Sequence, residues 1–163
     1  MNAKRNLSGV AATLLVFSSV VLAQQYTLSS LCGDYGAVVT YGANVAAGFG
    51  HEKYDGQGNA TGSALANQPG ANGTRTITSF GISGTYTVNK DGSGIRTLTI
   101  ALPGGGTAQV IEDFVITKAK VINGIALATE IADAQRESSA VIDDQSLVRH
   151  ILTLRSKPSV CGR

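Results

Sequence analysis

The feature that most constrains this chain is a two-residue alternation of apolar and polar side chains, repeated in short segments that end at turn residues. The segments are 34–43, 48–55, 59–67, 74–81, 83–89, 95–102, 108–118, 120–132 and 146–155. Such alternation is typical of strands with one buried face, and the short gaps between segments favour antiparallel hairpins. We therefore expect eight or nine strands that pair in chain order.

A meander of this length removes its exposed edges by closing on itself. We therefore predict an all-β fold, an up-and-down antiparallel β-barrel of about eight strands, with a two-sheet β-sandwich as the alternative. Segment 133–145 is polar and lacks the alternation, which predicts a short helix or a long loop.

The sequence Asp-Gly-x-Gly occurs twice, at 55–58 and 91–94. Neither copy has the oxygen ligands and the glycine at the positions that an EF-hand calcium loop requires. Neither has the Lys-Ser/Thr pair of a phosphate-binding P-loop. Asp-Gly supplies the positive φ of a hairpin turn, and the second glycine suits a following β-bulge. We interpret both copies as turns.

The first 23 residues have the features of a signal peptide. Lys4 and Arg5 precede an apolar stretch, and the small residues Val21 and Ala23 precede an expected cleavage site. The mature chain would be a single domain, 24–163, secreted or periplasmic and without a membrane span. Removing two of the 13 basic residues leaves 11, equal to the number of acidic residues. A neutral chain gives no electrostatic reason to expect nucleic acid as a partner.

Cys32 and Cys161 are the two cysteines of the chain. In an exported protein we expect them to form a disulfide that joins the two ends of the domain. The closed loop of about 130 residues would contribute ~4–5 kcal/mol in the chain-entropy model. Two sequons, at Asn59 and Asn72, lie at predicted turns and would accept a glycan only in a eukaryotic host.

Ionisable residues occur as adjacent pairs on three predicted strands: His51 with Glu52, Glu112 with Asp113, and Arg149 with His150. Neighbours on a strand point to opposite faces, so one member of each pair would enter a closed barrel. The sequence leaves open which face lines the lumen. With only two histidines and no metal-ligand spacing, we expect neither a metal site nor a cofactor. The candidate acid/base or orienting residues are Tyr35, Tyr41, His51, Glu112 and His150.

The run "EKYDGQGNATGS … SGTYTVNKDGSGIRTLTI", with an opening "CGDYG", resembles a large group of exported microbial proteins. Such chains are similar to calycin-type barrels, close to the allene-oxide-cyclase-like barrel. The resemblance implies a cup of about eight strands with a mostly apolar lumen. Proteins with that barrel bind small hydrophobic molecules, or are cofactor-free cyclases or dirigent-like proteins. The matching positions are turns, so no catalytic residue carries over.

We therefore expect an exported barrel that binds a small hydrophobic molecule. The alternative is a cofactor-free cyclase or isomerase, or a dirigent-like protein, that acts on a polyketide or terpenoid intermediate in specialised metabolism. A second alternative is a structural or surface protein without a ligand, whose lumen is filled with side chains.

Overall fold

A computed structural model describes residues 25–41, 46–137 and 147–156 of the chain. The strands are β1 (Cys32–Tyr41), β2 (Ala46–Asp55), β3 (Asn59–Pro69), β4 (Arg75–Val88), β5 (Ser93–Ala101), β6 (Thr107–Ile122), β7 (Ile125–Gln135) and β8 (Val148–Ser156). Two short 3-10 helices, Leu28–Ser30 and Ala71–Gly73, accompany them.

The eight strands form one closed antiparallel barrel in chain order. Each strand pairs with its neighbours in sequence, and β1 closes the sheet by pairing with β8, where Tyr41 lies opposite Val148. The predicted up-and-down barrel is confirmed, and the sandwich alternative is wrong because β1 pairs on both of its edges within one sheet.

Two predicted segments, 74–81 and 83–89, form the single strand β4. The prediction of a break was wrong because Gly81 continues the ladder and pairs with Ala101 of β5 and Ser63 of β3. This correction reduces nine predicted segments to eight strands.

The predicted boundary between segments 108–118 and 120–132 was also misplaced. β6 runs on to Ile122, and the turn lies at Asn123 and Gly124, whose φ angles are 52° and 79°. The β6–β7 register shifts on both sides of Lys118. Such an irregularity interrupts the two-residue alternation without ending the strand. Segment 133–145 begins as strand, because β7 extends to Gln135; its residues 138–145 lie outside the described part.

Both Asp-Gly pairs are turns, as predicted, with φ of 77° at Gly56 and 88° at Gly92. The turn carboxylates accept local hydrogen bonds, for example Asp91 Oδ1 from the Ser93 amide at 2.9 Å. The second glycine of the copy at 91–94 differs from the bulge interpretation. Gly94 lies within β5 with no register shift, and a Cβ there would collide with the Thr87 carbonyl oxygen and the Phe114 ring.

One end of the barrel is closed by the 3-10 helix Leu28–Ser30 and by three buried tyrosines. Tyr54 packs edge-on against Tyr35 and Tyr86, with ring centroids 5.4 and 5.2 Å apart. The Tyr86 hydroxyl donates to the carbonyl oxygens of Leu31 at 2.9 Å and Leu28 at 3.2 Å. We call this the plugged end of the barrel.

Several sequence predictions fall outside the described residues. They include the signal peptide and Cys161, so the disulfide to Cys32 stays a prediction. Asn59 opens β3 and Asn72 lies in the second 3-10 helix, both exposed as expected of glycan acceptors, and their use also stays a prediction. Among the described residues, no helix is long and apolar enough to cross a membrane.

Candidate functional site

The barrel resolves which member of each ionisable pair faces the lumen. Glu52 and Glu112 are buried at 2% and 1% exposure, and the His150 side chain is 12% exposed. Their neighbours His51, Asp113 and Arg149 are exposed on the outer face. Two further buried ionisable residues meet the inward members, and we call the five together the lumen cluster: Glu52, Arg96, Glu112, Asp133 and His150.

Arg96 is the centre of the lumen cluster. Its Nη1 donates to Glu52 Oε2 at 2.6 Å and contacts the Tyr54 hydroxyl. Its Nη2 donates to Asp133 Oδ2 at 2.7 Å and also to Glu112 Oε2. Arg96 is fully buried, and its Nε has no hydrogen-bond partner among the described residues. A guanidinium can be buried here because carboxylates from three other strands surround it.

His150 is held against the same carboxylates from β8. Its Nδ1 lies 2.5 Å from Asp133 Oδ1 and 3.5 Å from Glu112 Oε1. The backbone amide of His150 donates to Asp133 Oδ1 at 3.1 Å. Asp133 therefore bridges the two cationic side chains, with one oxygen on Arg96 and the other on His150.

The pKa values of Glu112, Asp133 and His150 are shifted from their ordinary values in different directions. Burial, together with the charges of Asp133 and Glu52, raises the pKa of Glu112 above its ordinary value against the lowering effect of Arg96 and His150. Burial also raises the pKa of Asp133, but the charge of Arg96 and the hydrogen bond with His150 outweigh it, so that pKa is lowered. Burial lowers the pKa of His150, and its bond to the Asp133 carboxylate more than compensates, so that pKa is raised. Of Glu112 and Asp133, Glu112 is therefore the carboxyl group that more readily holds a proton.

A small cavity lies against the lumen cluster, in the half of the barrel away from the plugged end, and we call it the cup. Its volume is about 40 Å³, which is room for a few water molecules and well below the usual size of a drug-sized ligand pocket. Its walls are apolar and include Val39, Phe80, Leu98, Ile100 and Val110. The polar residues that line it are Glu52, Glu112, Gln135 and His150.

Glu112, Asp133 and His150 also have the donor set of a metal site, with one ligand atom from each within 4.8 Å of the others. The Arg96 guanidinium, however, already binds both carboxylates. A divalent cation coordinated by the three ligands would have to compete with the guanidinium for both carboxylates, which disfavours it in a buried site. The arrangement is better described as an arginine-centred ion cluster.

The structure brings together two of the five sequence candidates, Glu112 and His150. His51 is exposed on the outer face, 3.1 Å from the Ser63 hydroxyl. Tyr35 belongs to the plugged end, where its hydroxyl donates to the Ala128 carbonyl at 2.8 Å and burial raises its pKa. Tyr41 ends β1, and its side chain lies outside the described part of the structure.

Sequence reasoning missed Arg96 and Asp133. Arg96 shares a strand face with Gly94, Leu98 and Ile100. This two-residue spacing from apolar residues is the sequence signal that would have indicated that Arg96 points inward. Asp133 was assigned to a polar connector rather than to the end of β7.

A comparison of the chain with protein-family models, with curated proteins and with solved structures finds no match. The fold that the structure shows is an eight-stranded antiparallel barrel.

Proposed function

We propose that this chain is an exported barrel that binds a small, largely apolar molecule in its lumen, with the polar end of that molecule on the lumen cluster. The observation that carries the proposal is the cup itself, whose apolar walls end on Glu52, Glu112 and His150. Ligand sites have this composition, in which apolar walls supply burial and a few polar groups fix orientation.

The size of the cup restricts what enters it. A volume of about 40 Å³ admits a head group or a very small molecule, so a larger ligand would extend toward the end opposite the plug. The resemblance to calycin and allene-oxide-cyclase-like barrels supports the same function, and export with a Cys32–Cys161 disulfide belongs to this proposal.

Two adjacent residues of β6 offer a matched test. Val110 lines the cup and is 9% exposed, whereas its neighbour Ile111 points outward and is 36% exposed. We expect Val110→Phe to fill the cup and abolish the chemical-shift changes that a panel of small alcohols, ketones and amines produces in NMR spectra. Ile111→Phe should leave them unchanged. Circular dichroism confirms that both variants are folded.

The proposal fails if no compound of the panel binds, or if Val110→Phe binds as wild type does. The first outcome would favour the alternative of a structural protein whose lumen is filled.

A cofactor-free isomerase or cyclase is the second candidate, favoured by the contact between Glu112 and His150 at the cup. A carboxyl group with a raised pKa beside an imidazole can give and take a proton within an apolar, water-poor site. We expect deuterium from D2O to enter an acidic C–H position of a bound ketone, and Glu112→Gln to abolish the exchange. Binding without any catalysed exchange would contradict this candidate. A gene neighbourhood for polyketide or terpenoid synthesis would favour it.

A further inference from the structure

We infer that the head group received by the cup is a cation, a small primary or secondary ammonium, and not a carboxylate. The inference rests on the proposed function, because it names the chemical class of ligand for the same cavity. Three features of the lumen cluster lead to it: which charges face the cup, how the charges pair, and which acceptors lack a donor.

The positive centre of the cluster is hidden from the cup. Arg96 is fully buried and does not line the cavity, and both of its Nη atoms are occupied by acceptor oxygens. An incoming carboxylate would therefore meet Glu52, Glu112 and His150 before it met the guanidinium, and His150 is already paired with Asp133. A bound carboxylate would add a fourth acidic group to three that already share only one guanidinium and one imidazole, so anionic head groups are disfavoured.

The charges of the cluster pair unevenly. Three carboxyl groups, Glu52, Glu112 and Asp133, share one guanidinium and one imidazole. Asp133 is the nearest partner of His150, so the imidazolium charge is compensated by that carboxylate. The remaining Arg96 charge balances one of the two glutamates, and the other must take up a proton or meet a further cation.

Some acceptor atoms at the cup have spare capacity for a donor within the described part of the chain. Among the described residues Glu52 forms contacts through Oε2 alone, and Glu112 meets Arg96 through Oε2, while Glu112 Oε1 has only the 3.5 Å contact with His150 Nδ1. Gln135 Oε1 is buried in the cup lining without a hydrogen-bond partner among the described residues. An ammonium group has only donors and a positive charge, which matches this set of acceptors.

Proton release is a consequence of this assignment. Glu112 faces Arg96 of β5, Asp133 of β7, His150 of β8 and Glu52 of β2, and burial is the main cause that raises its pKa, so the empty cup favours its protonated form more than solvent does. An ammonium ion beside Glu112 favours its carboxylate form, so Glu112 loses the proton to solvent as the amine binds as its cation.

The test compares isobutylammonium, isobutanol and isobutyrate, which share one alkyl body. We expect isobutylammonium to bind at least about tenfold more tightly than isobutanol, and isobutyrate not to bind. Calorimetry in buffers with different ionisation enthalpies should report release of up to one proton per ammonium bound. This measurement uses the wild-type protein and needs no variant to fold.

Variants test which residue causes the preference for ammonium. Glu112→Gln should remove both the preference for ammonium and the proton release, whereas Asp113→Asn, its outward-facing neighbour, should leave both unchanged. If isobutanol or isobutyrate binds as tightly as isobutylammonium and Val110→Phe blocks it, the inference is overturned and the proposed function stands. If none of the three isobutyl compounds binds and the wider panel produces no chemical-shift changes, the inference and the proposed function are both overturned.

Discussion

Replacing Arg96 by Met should destabilise the barrel severely, and by an amount that depends on pH. The substitution keeps an unbranched side chain, although a shorter one, and removes the charge that binds Glu52, Glu112 and Asp133. Removing one partner of a buried ion pair costs about 3–5 kcal/mol because it leaves an uncompensated buried charge. With three carboxyl groups affected, we expect a loss at the upper end of that range, a large part of the ~5–15 kcal/mol that stabilises a typical domain.

The pH dependence has a defined sign. Arg96 helps to lower the pKa of Asp133 in the folded state, a contribution present above the ordinary carboxyl pKa and lost as pH falls through the lowered value. Without Arg96, burial raises the carboxyl pKa values, so the variant loses stability as pH rises through about 4. The difference between wild type and Arg96→Met is therefore small in acid and largest near neutral pH.

Urea denaturation followed by far-UV circular dichroism at pH 4 and pH 7.5 measures both effects. Arg136→Met is the matched control, since Arg136 forms an exposed ion pair with Asp113 on the outer face and its loss should be undetectable. Adding Glu112→Gln to Arg96→Met should restore part of the stability at pH 7.5. A loss of less than about 1 kcal/mol, or an equal loss at both pH values, would refute the ion-cluster reasoning.

Three further predictions concern other parts of the barrel. Cys32→Ser should lower the free energy of unfolding by ~4–5 kcal/mol if Cys161 is its disulfide partner, and non-reducing mass spectrometry that finds two thiols in the wild-type protein would contradict the pairing. Gly94→Ala should lower the melting temperature because there is no space for the added Cβ. Gly81→Ala should change the melting temperature little, because the added Cβ would have ordinary contacts. Similar melting temperatures for the two variants would show the packing argument to be wrong. The pKa of His150 is raised in the folded state, so its stabilising contribution is full below about pH 6.5 and is lost as pH rises through the folded value. In urea titrations, His150→Gln should therefore cost more stability at pH 6 than at pH 9. The reverse order would count against the ion pair of His150 with Asp133.

The barrel was predictable because its signals are local. Alternation and Asp-Gly turns are read from neighbouring residues, and closure follows from the need to cover strand edges. The errors arose where a local signal was ambiguous. Gly81 resembles a break but continues β4, and the irregularity at Lys118 resembles a strand end.

The lumen cluster was only half predictable. Adjacent ionisable residues indicate that one of each pair enters the barrel. Which residue of the pair points inward depends on which face of every strand lines the lumen, and that is set by the whole sheet. Arg96 contacts Glu52, Asp133 and Glu112, which lie 44, 37 and 16 residues away in sequence. A buried arginine is stable only with carboxylate partners, and no local sequence pattern indicates contacts between residues so far apart in the chain.

The lumen cluster also bears on how the barrel chooses its strand register during folding. Its five ionisable side chains come from five different strands: β2, β5, β6, β7 and β8. A slip of one residue in any of these pairings would turn a charged group to the outside and leave its partners buried alone. The same slip would turn the apolar side chains of that strand outward, so the charged groups add to the preference for one register that the alternation already sets. The cluster thus penalises misregistered closures, so the same charges that line the cup help to make one barrel the preferred outcome.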